Sequence, residues 1–108
     1  MMREKRQNRL TDEFRDLSAR YLERESNRKS LITITRAELL GEGKTLRCMI
    51  SIFPQSEEKV ALEFAKRKAP DLREYLSKET KTRFVPKITF ELDLGEKNRQ
   101  RIEELLKK

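Results

Sequence analysis

Between positions 66 and 87 the chain carries eight cations, Lys66, Arg67, Lys68, Arg73, Lys78, Lys81, Arg83 and Lys87, against three acids, Asp71, Glu74 and Glu79. Eight against three leaves a local +5, most of the +7 of the whole chain. Ammonium and guanidinium groups at this density suit the phosphates of a polyanion better than a small substrate. Phosphate neutralisation with counterion release is the dominant sequence-independent term in nucleic-acid binding. If about six of these cations reach phosphates, affinity falls roughly a thousandfold between 50 and 200 mM salt. Solvated helix faces are the alternative reading of the same charges.

Arg6 and Arg9, together with Arg28 and Lys29, form a second candidate surface; an ordinary helix face followed by a polar turn reads equally well from those residues. Arg36 and Arg83 fall in strand-like segments, where either could pair with an acid such as Glu38 or Glu91 across a sheet instead of meeting a phosphate. Helix amides after Pro70 could also face an anion, although Asp71 places a negative charge there and serves equally as a helix-start residue.

Other chemistry is poorly supplied. There is one cysteine, Cys48, and no histidine, so neither an internal disulfide nor a multi-thiol or histidine metal site can be built. Cys48 shares a strand face with Leu46, Ile50 and Ile52, which suits a small buried apolar group better than a nucleophile. The acid pairs Asp12-Glu13, Glu57-Glu58 and Glu103-Glu104 sit at helix starts or on helix surfaces among opposite charges. Gly41-Glu42-Gly43 lies between two strands and lacks the Gly-Lys-Ser/Thr ending of a phosphate loop, so it reads as a hairpin turn. Tyr21 and Tyr75 fall on apolar helix faces. No exposed aromatic platform for stacking bases is evident, so recognition of shape and backbone is expected. With no convincing nucleophile-base pair, the chain reads as a binding protein and not an enzyme.

These residues need a scaffold, and 108 of them allow one domain, spanning residues 1–108, with one modest core. Apolar residues are 35% and aromatics 6% of the chain, so that core is mostly aliphatic; the 42% charged residues are of both signs and interspersed with periodic apolar positions, as in a folded chain. No stretch approaches a membrane span, and the start Met1-Met2-Arg3-Glu4-Lys5-Arg6 lacks the apolar core of a signal peptide, which points to the cytoplasm.

Leu10, Phe14, Leu17 and Tyr21 are spaced by four, three and four residues and predict a helix over about 5–25. Residues 31–39 are rich in β-branched side chains and predict a strand. A turn at 41–44 leads to a second strand in which Leu46, Cys48, Ile50 and Ile52 alternate with Arg47, Met49, Ser51 and Phe53. Ser56 is a candidate N-cap for a helix whose inward stripe is Val60, Ala61, Phe64 and Ala65. Pro70 predicts two helices meeting at a kink formed by Ala69, Pro70 and Asp71, with Pro70 as the first residue of the second. Ile88, Phe90, Leu92 and Leu94 predict a third strand, and after Gly95 the spacing of Ile102, Leu105 and Leu106 predicts a short closing helix. The expected class is α+β, in the order α-β-β-α-kink-α-β plus that helix, with a three-stranded mixed sheet packed on helices.

This order is similar to the type II KH arrangement, and the residues resemble one family within it, ribosome-binding factor A. Ile32-Thr33-Ile34-Thr35-Arg36-Ala37-Glu38-Leu39 resembles its first strand and Arg47-Cys48-Met49-Ile50-Ser51-Ile52 its second. Leu72-Arg73 followed by Arg83-Phe84-Val85-Pro86-Lys87-Ile88-Thr89-Phe90 resembles its most recognisable signature, and Arg101-Ile102-Glu103-Glu104-Leu105-Leu106 its closing helix. The family's Ala-any-Gly kink is represented by Ala69-Pro70-Asp71, which keeps the Ala and loses the Gly. Its common Asp-Pro-Arg before the first strand is represented by Ser26-Asn27-Arg28. The resemblance implies a non-enzymatic, cofactor-free monomer that binds immature small-subunit rRNA in the cytoplasm. It also implies help with late maturation and rRNA processing, notably in the cold, and release in which maturation GTPases are implicated. A general structured-RNA binder and a protein-interaction adaptor are the alternatives.

Overall fold

The computed structural model describes the backbone of residues 2–107 and the side chains of residues 9–107. Helix α1 (Met2–Glu25) is followed by β1 (Leu31–Leu40), β2 (Thr45–Phe53), a 3-10 turn (Gln55–Glu57), α2 (Glu58–Glu79), β3 (Lys87–Leu92) and α3 (Leu94–Leu106). The sheet order is β1-β2-β3, with β1 antiparallel and β3 parallel to β2, so the sheet is mixed as expected. The tight turn between β1 and β2 holds Gly41, Glu42 and Gly43 all at positive φ, where glycine is at ease and glutamate is not.

Helices α1 and α2 cover one face of the sheet. Phe14 and Leu22 of α1, Leu72 and Leu76 of α2, and Leu46, Cys48 and Ile50 of β2 are all buried in one core with Ile88 and Phe90 of β3. Ala61 and Ala65, both buried, keep the first half of α2 small where it meets the sheet. Burial removes water from the Cys48 thiol and pushes its pKa up to about 12. Among the described residues, one buried side-chain group lacks a partner: the Ser18 hydroxyl makes no hydrogen bond.

A bulge resolves a puzzle in the β1 sequence. Ile32 and Ile34 face the core opposite Ile52 and Ile50, yet further along it is Ala37 and Leu39 that lie opposite Cys48 and Leu46. The register shifts between Ile34 and Arg36, so Thr35 is the extra residue and the inward parity changes across it. Its hydroxyl lies 2.5 Å from Asp93 Oδ2 and 3.2 Å from the Met49 carbonyl, with one proton to share between them. Asp93 also donates its backbone N–H to the Ile50 carbonyl and accepts the Glu96 amide as N-cap of α3. The Thr35 hydrogen bond, followed by the Glu96 amide, holds the Asp93 carboxyl below its usual range.

Four expectations are corrected. Helix α2 runs unbroken from Glu58 to Glu79 with Pro70 inside it, in place of two helices. Ala61, Ala65, Leu72 and Leu76 stay in helical phase across the proline. Burying Leu72 and Leu76 is worth roughly 1.5–3 kcal/mol each, which offsets the ~3 kcal/mol of an internal proline. Pro70 and Lys66 are both exposed, so the carbonyl deprived of its partner lies toward water. Ser56 sits in the 3-10 turn, and the residue preceding α2 is Glu57, whose side chain makes no capping bond. Val60 is 58% exposed and leaves the inward stripe to Ala61 and Ala65, with Phe64 half-buried. Leu94 is the first residue of α3 and not the end of a strand, because the Asp93 cap starts the helix before Gly95.

Candidate nucleic-acid interface

The geometry of the basic segment is set by how α2 ends. Thr80 donates its hydroxyl to the Leu76 carbonyl at 2.7 Å and closes the helix, and the Lys87 amide donates to the Lys44 carbonyl at 2.9 Å where β3 joins β2. Between these anchors, residues 81–86 cross from helix to sheet, with Val85 and Pro86 buried. Arg73 Nε donates to the Val85 carbonyl at 3.1 Å and pins this connector against α2. Arg73 and Arg83 then line one open groove of about 490 Å3, with Pro70, Glu74, Ser77, Thr82, Phe84 and Val85. Lys66 lies two turns before Arg73 on the same flank of the helix.

The other cations of the segment go elsewhere. Arg67 is one residue on from Lys66, about 100° around the helix; it lies over the Phe64 ring at 5.9 Å and lines a cavity with Ser26, Asn27 and Ser30 on the α1 side. Lys68 is half-buried, three residues after Ala65 and four before Leu72, so its stem runs along the packed side of α2. Lys78 pairs with Glu74 at 3.4 Å. Lys81 and Lys87 are exposed at the two ends of the connector. Among the described residues, Lys78 is the one cation of the eight held in an ion pair. The positive charge is therefore largely unneutralised, and it is divided between two flanks of α2 and the connector.

At the proline, Asp71 faces α1. Tyr21 and Tyr75 meet at 5.3 Å between ring centroids, with the Arg24 guanidinium 5.5 and 5.1 Å from them. Burial, then the Asp71 and Glu25 carboxylates, push the Tyr21 hydroxyl up against the opposing pull of Arg24. Since α2 does not restart at Pro70, there is no free helix N-terminus at Ala69, Pro70 and Asp71 to receive an anion.

The second predicted surface is divided as well. Arg28 and Lys29 are exposed in the α1–β1 connector, shaped by the Ser26 and Asn27 side chains accepting the Arg28 and Lys29 amides at 3.3 and 3.0 Å. They line a cleft of about 670 Å3 with Arg15, Leu22, Ile34 and Phe53. Arg9 is exposed sixteen residues before the end of α1, about 24 Å away along the helix axis. Arg6 lies in the backbone of α1, and its side chain is outside the described residues. Arg36 pairs with Glu38 at 2.8 Å, and Glu91 pairs with Arg47 instead, leaving Arg83 unpaired.

One expectation about the surface is overturned. Phe84 is 54% exposed and Phe53 is 70% exposed, so flat aromatic faces do reach solvent. The signal for Phe84 was its place in a connector directly after Arg83, where the apolar alternation of β3 has not yet begun. Among the described residues, no cluster of three or more acids or cysteines is arranged to hold a metal ion, and no helix is long and apolar enough to cross a membrane.

Comparison with known proteins agrees with this architecture. The family model described as ribosome-binding factor A matches residues 6–106. A ribosome-binding factor A from Thermomicrobium roseum is 29% identical over 105 residues, covering 94% of this chain and 81% of the relative. The crystal structure of ribosome-binding factor A from Thermus thermophilus superposes with a TM-score of 0.71 at 20% identity, over 80% of this chain and 93% of that one. A homology model of the Thermus thermophilus factor, fitted into the cryo-EM map of a 30S complex, superposes with a TM-score of 0.67 at 20% identity, over 77% and 90%.

Proposed function

Because the chain belongs to the ribosome-binding factor A family, we propose that it binds the small ribosomal subunit through the phosphates of immature rRNA and assists late maturation of that subunit. The observation that carries the reading is the set of Lys66, Arg73 and Arg83, three exposed cations free of ion pairs, two of them lining one groove. Support comes also from the Thermus thermophilus factor, whose homology model was fitted into the map of a 30S complex. The action is positional and involves no covalent step and no cofactor. Cations on both flanks of α2, with Arg28 and Lys29 beyond, grip separate phosphate tracks and hold an immature rRNA conformation. The factor acts as a monomer in the cytoplasm, supports rRNA processing in the cold, and leaves when the mature conformation competes, with maturation GTPases promoting release.

Co-sedimentation tests this reading. The chain is expected to pellet with free or immature small subunits in preference to full ribosomes. The Lys66→Glu, Arg73→Glu, Arg83→Glu variant is expected to stay in the supernatant while retaining its circular dichroism. Equal pelleting of that variant, or no pelleting of the unmodified chain, would refute the assignment.

A further inference from the structure

A large apolar ring exposed in a groove that also holds two arginines calls for an occupant. Phe84 is 54% exposed although its neighbours Val85 and Pro86 are buried, so the connector turns one apolar side chain outward where the next two turn in. The ring lines the same groove as Arg73 and Arg83. The groove's one acid, Glu74, is paired with Lys78 at 3.4 Å, so its repulsion of an anion is reduced. The groove, of about 490 Å3, is open to solvent along its length. The connector is held at its two ends by Thr80 and the Lys87 amide, and directly after Phe84 by Arg73 donating to the Val85 carbonyl. The face is thus presented on a fixed support, which reduces the entropy lost on binding.

An exposed aromatic ring that shares one groove with two guanidinium groups matches one component of RNA: an unpaired nucleotide, whose base offers a π-face and whose two flanking phosphates offer anions. A base inside a duplex offers neither face to a side chain. We propose that Phe84 is a stacking site for a single unpaired RNA base, with Arg73 and Arg83 receiving the adjoining phosphates. This rests on the RNA-binding reading above and adds to it a preference for a single-stranded element. Stacking on an aromatic side chain contributes to affinity in a sequence-tolerant way, so the site selects strandedness and not base identity.

The test uses the full chain, a ten-nucleotide mixed-sequence RNA carrying 2-aminopurine, and the same sequence as a blunt duplex, at one salt concentration. Phe84→Leu keeps an apolar side chain and removes the π-face; Phe84→Trp enlarges it. Expected are a loss of about fivefold or more in single-strand affinity for Phe84→Leu, with the 2-aminopurine quench lost. Duplex affinity should be unchanged, and Phe84→Trp should recover both single-strand signals. Single-strand binding by Phe84→Leu equal to the unmodified chain, or an equal loss on duplex, overturns the stacking site while leaving phosphate binding intact. Failure of the unmodified chain to bind either RNA overturns the RNA-binding reading itself, and the stacking site with it.

Discussion

Replacing Lys66, Arg73 and Arg83 together by glutamine removes three unpaired positive charges, two from one flank of α2 and one from the connector that shares a groove with it. The apolar stems remain, and an amide donor is left that can reach the Val85 carbonyl in place of Arg73 Nε. Each phosphate contact contributes about 0.9 to the slope of log affinity against log salt for a duplex, and about 0.7 for a single strand. Six contacts give a slope of roughly −5.4 on duplex, and removing three brings it to roughly −2.7. Between 50 and 200 mM salt the loss of affinity then shrinks from roughly 2,000-fold to roughly 40-fold. The control removes three cations already paired with acids, Arg15, Lys78 and Arg99, also by glutamine. Titrating a labelled small-subunit rRNA fragment across that salt range by fluorescence anisotropy reads both slopes. An unaltered slope in the first variant, or an equal fall in the control, would refute the argument that unpaired charge on this flank and connector meets phosphate.

The remaining predictions concern the scaffold. Asp93→Ala loses the α3 cap and the tie to the β1 bulge and is expected to lower unfolding free energy by about 1–2 kcal/mol in urea titration. Because the folded Asp93 carboxyl titrates below its unfolded value of 3.8, its stabilisation is complete above that value and is lost as pH falls through the folded pKa. The acid limb of the melting-temperature profile should therefore be shallower in Asp93→Asn. Ser18→Ala removes a buried hydroxyl with no partner and is expected to raise stability by about 1 kcal/mol, which a lower denaturation midpoint would contradict. Pro70→Ala restores the missing hydrogen bond of α2; about 3 kcal/mol for an internal proline, less up to about 1 for a freer unfolded chain, predicts a clear gain on thermal unfolding.

What could be read from the residues was what local pattern dictates. The inward set of β2 follows from strict alternation, the turn at 41–44 from its glycines, and the segment order from changes of period. What escaped depended on partners distant in sequence. The parity change in β1 needs Asp93, fifty-eight residues from Thr35, to hold the bulge. Continuity of α2 through Pro70 is decided by the sheet beneath Leu72 and Leu76, which no rule about proline contains. The basic residues were identifiable as a group, but their division followed from helical phase: Lys66 and Arg67 are adjacent in the chain and about 100° apart around α2, on different flanks. Phe84 reads in the sequence as part of a family signature and an approaching strand, and its exposure depends on the path of the connector that Arg73 pins.

Helix α3 buries none of its residues: Leu94, Ile102 and Leu105 are exposed and Leu106 is 80% exposed. It is fastened at its beginning, by the Asp93 cap and by Lys97 donating to Glu58 at 2.9 Å, and its later turns are held by pairs within the helix such as Arg99 with Glu103. Opening it exposes almost no new apolar surface, so its unfolding is separable from that of the sheet. Its amides should exchange with deuterium far sooner than those of β2, whose protection is set by global unfolding. The later turns of α3, beyond Lys97, are thus expected to open before the sheet does, while Asp93 stays tied to β1 and β2.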